Sequence, residues 1–188
     1  MKNKKVIAVV GMAGSGKSEV VKYLQKKYNW PKVYFGAPTF ERMEKDGLDL
    51  NYKNERITRE KIRKELGPGA YAILSAPKIN QALKASDIVI IESLYSWDEY
   101  KIIRKRFKEN FQTIAVFASP EVRFKRLTKR KKERPIKNLK EFEERDFTEI
   151  EKTYKGGPIA RADYMIINEK DLKTFHKNID SVIKNILK

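Results

Sequence analysis

The feature that most constrains this chain is a glycine-rich stretch, GMAGSGKSEV, that directly follows a short apolar run, VIAVV. Three of its first six residues are glycine, and a lysine and a serine come next. Glycine is unfavourable inside helices and strands, but it allows the positive φ angles and the close backbone approach that a tight loop needs. A glycine loop between an apolar strand and an amphipathic helix predicts a site where backbone N–H groups surround an anion.

The stretch satisfies the P-loop pattern Gly-x-x-x-x-Gly-Lys-Ser. In this pattern the lysine reaches the β- and γ-phosphates and the serine hydroxyl binds Mg²⁺. We therefore predict that Lys17 and Ser18 hold a triphosphate and its metal ion; the alternative is a glycine turn that binds no ligand. The full set of predicted nucleotide-binding residues in this stretch is Gly11, Ala13, Gly14, Ser15, Gly16, Lys17, Ser18 and Glu19.

Short runs rich in β-branched and aromatic residues recur along the chain and alternate with charged segments that have apolar residues at helical spacing. These runs cover residues 6–10, 33–35, 88–91, 113–117 and 164–167. Strands that are apolar on both faces and alternate with helices indicate a parallel sheet covered on both sides. The predicted fold is therefore a doubly wound α/β fold, and 188 residues suit a single domain.

Two regions interrupt this alternation. Residues 38–84 contain no clear strand and are predicted to form two or three helices, broken at DGLD, at GPGA and at Pro77. Residues 120–155 begin with a helix that is capped by Ser119 and ends near Pro135, and a second helix, LKEFEERDFTEIEKTY, follows. Both regions are predicted to be helical lobes above one edge of the sheet.

A carboxylate is expected at the end of a strand beside the P-loop, where it binds Mg²⁺ through water or takes the acceptor's proton. The run SDIVIIES has Asp87 before a predicted strand and Glu92 after it. At roughly 3.3 Å per residue the two lie about 15 Å or more apart, so only one of them reaches the phosphates. We predict that Glu92 is catalytic and a metal ligand; the alternative is a structural cap for the next turn.

The stretch 123–140 is strongly basic. Four of its arginines recur at i, i+3, i+7 and i+11, which keeps them on one side of a helix. They are Arg123, Arg126, Arg130 and Arg134. Arginine binds phosphate oxygens through two parallel N–H groups, so we predict that Arg126 and Arg130 are catalytic. The alternatives are a solvated helix face and contact with a nucleic-acid backbone.

The overall charge agrees with a phosphate-bearing partner. The chain has 42 Lys and Arg against 25 Asp and Glu, a formal net charge of +17, which favours nucleotides or nucleic acid. It has no cysteine and one histidine, which excludes disulfides, thiolate metal sites and histidine clusters. The first apolar run is too short for a signal peptide or a membrane span, so we expect a cytoplasmic protein with no membrane partner.

Six segments together carry a family resemblance: GMAGSGKS, IRKELGPGAYA, DIVIIESLYSWDEY, ASPEVRFKRLTKR, EFEERDFTEIEK and IARADYMIIN. They resemble the adenylate kinase-like group of P-loop nucleotide kinases, a relative also of dephospho-CoA kinases, and within it a mostly archaeal family. The resemblance covers nearly the whole chain, residues 1–188. It implies the P-loop NTPase fold with three α/β/α layers and a five-stranded parallel sheet, a helical acceptor-binding lobe at residues 38–84 and a helical lid at residues 127–155.

The resemblance also implies ATP as the donor and assigns further residues by position. Arg42 resembles the arginine that meets the acceptor phosphate, and Arg145 resembles a lid arginine. The segment near Asn168 resembles the one against which the adenine base rests, with Arg126 also at the nucleotide. Arg59 and Arg63 share one helix face and are expected to frame an acceptor phosphate, or else to form a solvated face.

One segment departs from the resemblance. Adenylate kinases have Asp-Gly-x-Pro-Arg after the third strand, whereas this chain has Glu92 followed by Ser93, as in deoxynucleoside kinases that serve a hydroxyl acceptor. The leading expectation is an ATP-dependent phosphotransferase with a small nucleotide-like acceptor, similar to nucleoside monophosphate kinases. The alternatives are a dephospho-CoA kinase acting on a ribose hydroxyl and a regulatory NTPase that binds RNA or a protein partner.

Overall fold

The computed structural model of the chain describes residues 4–131 and 135–188. Within these residues five parallel strands form one sheet in the order β2-β3-β1-β4-β5. The strands are β1 Lys5–Val10, β2 Lys32–Tyr34, β3 Ile88–Glu92, β4 Phe111–Phe117 and β5 Tyr164–Ile167. The predicted α/β P-loop fold with a five-stranded parallel sheet is confirmed.

Helices cover both faces of the sheet. They are α1 Lys17–Tyr28, α2 Ala37–Lys45, α3 Tyr52–Leu66, α4 Ala70–Ala85, α5 Trp97–Phe107, α6 Pro120–Thr128, α7 Leu139–Glu151, α8 Gly156–Ala160 and α9 Leu172–Ile186, with a 3-10 turn at Lys108–Asn110. In β1, Ile7 and Val9 pack with α1 and α9, whereas Val6 and Ala8 pack with α4 and α5. Because both faces are buried, the strand is apolar throughout instead of alternating.

The strand order brings the P-loop beside the end of β3. In the register of the sheet Val9 lies opposite Glu92, and Val10 lies opposite Ala115. Strand β1 therefore sits between β3 and β4, and the loop after it leaves the sheet at the carboxyl edge, where the chain order reverses. Open parallel sheets bind their ligands at this kind of switch point.

The predicted helix break at Pro77 is wrong. Helix α4 continues through Pro77, although a proline inside a helix removes one backbone hydrogen bond and crowds the carbonyl four residues earlier. Ala72, Ala76 and Ile79 are buried on the sheet side of the same helix, and this packing holds the helix together. The breaks at DGLD and GPGA are confirmed, because α2, α3 and α4 are separated at those points.

The predicted end of the helix after Ser119 is also wrong. Helix α6 ends at Thr128, so Arg130 follows the helix instead of continuing its arginine face, and Arg134 lies outside the described residues. The Thr128 hydroxyl donates to the carbonyls of Phe124 and Lys125, a contact that often bends a helix. A longer helix would also stack like charges four residues apart, which is unfavourable.

Candidate phosphate-binding site

The P-loop has the conformation that its glycines permit. Gly11, Gly14 and Gly16 have φ angles of 145°, 81° and 107°. A Cβ atom on Gly11 would lie 2.5 Å from the carbonyl oxygen of Val116, and one on Gly16 would overlap the Asn168 amide. Side chains at these two positions would therefore push the loop away from β4 and from the loop after β5.

Helix α1 begins at Lys17 directly after this loop. Its N-cap residue is Gly16, which has no side chain to cap the first turn. A helix start of this kind presents backbone N–H groups and a partial positive charge to an anion. The loop and the helix start together have the backbone conformation that an anion-binding surface requires, and the binding itself stays a prediction.

The ammonium of Lys17 lies among other cations. Its Nζ donates to the carbonyl oxygen of Met12 at 2.8 Å. Burial is the largest cause that lowers the pKa of Lys17 to about 7, and the charge of Lys155 comes next. Arg130 and Arg145 lower this pKa too, and Glu149 opposes the shift. The predicted residues Lys17, Arg130 and Arg145 are thus electrically coupled in one place.

One carboxylate joins the P-loop to these cations. Glu149, in α7, accepts a hydrogen bond from the backbone N–H of Ala13 at 3.0 Å through Oε2. Its Oε1 lies 2.9 Å from Lys155 Nζ and 3.5 Å from Arg145 Nε. Burial acts to raise the pKa of Glu149, but Lys155 and Lys17 hold it below its ordinary value. The group is therefore an anion bound by the P-loop backbone and by basic side chains.

Arg123 fixes the position of α7 relative to the P-loop. It is 4 % exposed, forms a two-pronged ion pair with Asp146, and donates to the carbonyl oxygens of Ala13 and Ala118 at 3.2 and 3.1 Å. The N–H donors of the Arg123 guanidinium are therefore engaged in structural contacts. Arg123 therefore positions Ala13 for the hydrogen bond to Glu149.

Arg126 and Asn168 come together on the other side of the P-loop. Nη2 of Arg126 donates to the carbonyl oxygen of Asn168 at 2.9 Å, and Nδ2 of Asn168 donates to the carbonyl oxygen of Ser15 at 2.8 Å. In the described part of the chain, Nη1 of Arg126 and Oγ of Ser15 are buried without a hydrogen-bond partner. Buried polar atoms of this kind are a rare feature of folded proteins and suit a ligand-binding position.

Three further predicted residues, Ser18, Glu19 and Glu92, lie in α1 and at the end of β3. Ser18 is exposed in the first turn of α1. Glu19 bonds to Nε2 of His176 at 2.8 Å and so faces α9. Glu92 ends β3, and its Oε2 accepts from Lys32 Nζ at 2.7 Å. The ion pair with Lys32 keeps the Glu92 carboxylate at the carboxyl edge of the sheet, close in register to the start of the P-loop.

The three arginines of α2 and α3 that are predicted to bind the acceptor each contact different residues. Arg42 forms ion pairs with Asp46 and Glu65, and these exposed contacts lower the pKa of both carboxyls. Arg59 pairs with Glu55 at 3.0 Å. Arg63 lies over the ring of Tyr71, 5.4 Å from its centroid. All three line α2 and α3 and are already in contact with other residues.

Glu149 and Lys155 are the site residues that the sequence analysis missed. Glu149 lies within the segment EFEERDFTEIEK, in which only Arg145 was predicted to be a site residue. Lys155 directly precedes two glycines. A lysine before Gly-Gly in a phosphate-binding protein is the one local signal that could have drawn attention to this position. The hydrogen bond between Ala13 and Glu149 joins residues 136 positions apart, so no local pattern announces it.

The residues fit a Mg²⁺ ion that also binds phosphate. Across residues 4–131 and 135–188 no three His, Cys, Asp or Glu side chains are grouped to hold a metal ion. Mg²⁺ commonly takes one or two side-chain ligands and completes its shell with water and phosphate oxygens. Ser18 and Glu92 are the two ligands that the sequence predicts for such an ion. In the same ranges, no helix has the length and apolar content of a membrane span.

Comparison with known proteins places these observations in a family. Residues 7–150 match the model of the AAA domain family. A UPF0200 protein from Pyrococcus abyssi is 38 % identical over 183 residues, which are 97 % of this chain and 97 % of that protein. A UPF0200 protein from Methanocaldococcus jannaschii is 36 % identical over 97 % of this chain and 90 % of its own length.

Solved structures share the fold at low identity. A shikimate kinase from Bacteroides thetaiotaomicron has a TM-score of 0.60 at 18 % identity, covering 98 % of this chain and 99 % of that one. A gluconokinase from Sinorhizobium meliloti has a TM-score of 0.56 at 14 % identity, covering 100 % and 98 %. These likenesses show a P-loop kinase fold, and the narrower adenylate kinase-like resemblance stays a prediction. By its full-length relatives and its matched domain, the chain belongs to the UPF0200 family and to the AAA domain family.

Proposed function

We propose that this protein is an ATP-dependent phosphotransferase that moves the γ-phosphoryl group to a small nucleotide-like acceptor. The observation that carries the proposal is the P-loop surrounded by buried cations: the N–H of Ala13 already binds a carboxylate, and that carboxylate sits among Lys17, Lys155 and Arg145. A site that stabilises one buried anion in this way suits the oxygens of a phosphate chain.

The transfer step follows from these groups. An oxygen of the acceptor forms a bond to the γ-phosphorus while the bond to the β–γ bridging oxygen breaks, and the electron pair leaves with ADP. Lys17 neutralises charge on the β and γ oxygens, and Arg130 and Arg145 neutralise charge on the group in transfer. Arg126, with Nη1 unpartnered among the described residues, donates to the nucleotide beside Asn168.

Ser18 and Glu92 would hold Mg²⁺. When bound, this ion would offset the negative charge of the phosphate chain. Glu92 has a second task when the acceptor is a hydroxyl, because its carboxylate then takes the proton that the hydroxyl loses. Lys32 restricts the rotamers of Glu92 and so keeps it aimed along the sheet edge.

Two helical regions are assigned to acceptor binding and to closure. Residues 38–84 form the acceptor-binding lobe in this proposal, with Arg42, Arg59 and Arg63 as its basic residues. Residues 127–155 form the lid, which excludes the water that would otherwise hydrolyse ATP. The hydrogen bond from Ala13 to Glu149 supports this assignment, because it brings α7 against the P-loop.

The acceptor class has two candidates. A nucleoside monophosphate or dephospho-CoA fits the basic residues of α2 and α3. The sequence Glu92-Ser93 favours a hydroxyl acceptor, and the solved structures with this fold include a shikimate kinase and a gluconokinase. A small hydroxyl-bearing acceptor without a nucleotide is therefore the second candidate.

The proposal is tested by ADP release from Mg·ATP with a panel of acceptors. The panel holds AMP, CMP, UMP, dTMP, GMP, dephospho-CoA, shikimate and gluconate, and Lys17→Ala is the control. We expect one acceptor class to stimulate release and the control to abolish it. Slow release that no acceptor stimulates, together with RNA binding that weakens steeply with salt, would instead favour a regulatory NTPase.

A further inference from the structure

Lys155 is a buried lysine that the transfer step above does not use. It is the N-cap residue of α8 and is 7 % exposed. Its Nζ lies 2.9 Å from Glu149 Oε1 and 4.0 Å from the centroid of the Tyr95 ring. A buried ammonium is costly unless it is paired, so the position must be stabilised by these two contacts.

Among the residues that the structure describes, basic side chains outnumber carboxylates around Lys155. Lys17, Lys155 and Arg145 all interact with Glu149, and Arg130 acts on Lys17. Asp146 also acts on Lys155, but its oxygens are engaged by Arg123. Burial and the charge of Arg145 both lower the pKa of Lys155. A site of this composition is completed by a group with more negative charge than one carboxylate.

Glu149 stands where such a group would bind. Its Oε2 accepts from the N–H of Ala13, which belongs to the P-loop, and its Oε1 accepts from Lys155. A carboxylate and a phosphate oxygen accept the same charge-assisted hydrogen bonds from N–H groups. The P-loop lysine reaches the β- and γ-phosphates, and the charges of Glu149 and Lys17 act on each other, so the position of the carboxylate suits a phosphate oxygen of this part of the chain.

We propose that Lys155 is a second phosphate-binding lysine, whose ammonium contacts the γ-phosphoryl group of bound ATP after this group displaces the Glu149 carboxylate from Ala13. The inference rests on the proposed function and names a further residue for it. ADP has no γ-phosphate, so it leaves the Lys155–Glu149 pair intact. Lys155 therefore discriminates ATP from ADP, whereas Lys17 binds both.

Equilibrium binding separates these roles. Dissociation constants are measured by titration calorimetry for the Mg²⁺ complexes of ADP and of a non-hydrolysable ATP analogue. In Lys155→Met we expect about a tenfold or greater loss of affinity for the analogue and an unchanged affinity for ADP, the size of one charge-assisted hydrogen bond. The matched control is Lys152→Met, which removes an exposed lysine three residues away and should leave both affinities unchanged.

A second variant tests the exchange of anions while it keeps the Lys155 side chain. Glu149→Gln removes the competing negative charge, so we expect several-fold tighter binding of the analogue and a smaller change for ADP. Unchanged or weaker analogue binding in this variant would overturn the inference, even if Lys155→Met did not fold.

Equal losses for both nucleotides in Lys155→Met would show a structural role and overturn the inference. So would an unchanged analogue affinity in Lys155→Met while Lys17→Ala loses binding, and this result would leave the proposed function intact. If the wild-type protein bound neither nucleotide, the proposed function and the inference would both be contradicted.

Discussion

The P-loop region and the helices α2 and α3, which we propose as the donor and acceptor sides, differ in how their charged residues are paired. At the P-loop, Lys155 and Glu149 have side chains that are 8 % and 12 % exposed, and the backbone of Ala13 takes part in their network. On α2 and α3, Arg42 and Glu65 are 27 % and 42 % exposed and pair through side chains alone. Buried pairs are costly to break, whereas exposed pairs exchange readily with water or another anion. If the proposed roles are right, the residues for phosphate binding are held by the packing of the fold, whereas the residues for acceptor binding are held by exposed, exchangeable contacts.

The largest expected effect is on stability, from removing the ion pair that ties α7 to the P-loop. Arg123→Ala leaves Asp146 half-enclosed and without its partner, so we expect a loss of about 3–5 kcal/mol in the free energy of unfolding. Chemical denaturation monitored by circular dichroism measures it. Arg42→Ala, on the acceptor side, is the control and should leave the denaturation midpoint unchanged. Similar losses in the two variants would remove the distinction between buried and exposed pairs.

The next effect concerns Arg130, which the proposal places in the lid. Because Arg130 acts on Lys17 electrically, Arg130→Ala should lower turnover by roughly two powers of ten with little change in stability. The rate of ADP release with the stimulating acceptor is the measurement. Lys129→Ala removes the adjacent exposed charge and should keep full activity. An Arg130→Ala variant with wild-type turnover would exclude this arginine from the transfer step.

A smaller effect is expected on the acceptor side. Arg42 must leave Asp46 and Glu65 to bind an acceptor phosphate. Breaking these exposed ion pairs offsets part of the binding free energy of the phosphate. We expect Arg42→Ala to raise the acceptor KM about tenfold, with kcat unchanged. Steady-state kinetics at saturating Mg·ATP separate the two constants. A fall in kcat with an unchanged KM would move Arg42 from acceptor binding to the transfer step.

The smallest effect is a proton taken up on binding. The pKa of Lys17 is about 7 in the free protein, so above that pH its amine is increasingly neutral, while a bound phosphate chain favours the ammonium. Binding of Mg·ATP at about pH 8.5 should therefore take up close to one proton, and at about pH 6 nearly none. Calorimetry in two buffers of different ionisation enthalpy gives the number of protons taken up on binding. The same uptake in Lys17→Met would assign the proton to another group.

The sequence predicted best what local patterns determine. All five strands were located to within two residues, because strands buried on both faces are continuously apolar. The P-loop was recognised because its glycines, Lys17 and Ser18 follow one another at fixed spacing. Two local rules failed: α4 continues through Pro77, and α6 ends at Thr128 despite helix-forming residues after it. In the first case packing against the sheet overrides a local preference, and in the second side-chain hydrogen bonds and like charges oppose the helix.

The contacts that complete the site were beyond prediction for a different reason. The hydrogen bond from Ala13 to Glu149 joins residues 136 positions apart, and Lys155 reaches the P-loop because α7 ends beside it. The basic pattern also did not show which arginine has a structural role and which acts on the P-loop lysine. Arg123 is buried in structural contacts, whereas Arg130 follows the helix and acts on Lys17. Such roles depend on contacts between helices that are far apart in the sequence, and residue spacing does not predict those contacts.

A crystal structure of the protein with Mg²⁺ and a non-hydrolysable ATP analogue tests the central claim most directly. The predicted result is a triphosphate on the backbone of residues 11–18, with the Lys17 ammonium at the β- and γ-phosphates and the Glu149 carboxylate displaced from Ala13. A nucleotide bound elsewhere, or a triphosphate on the P-loop with Glu149 still bonded to Ala13, would contradict it.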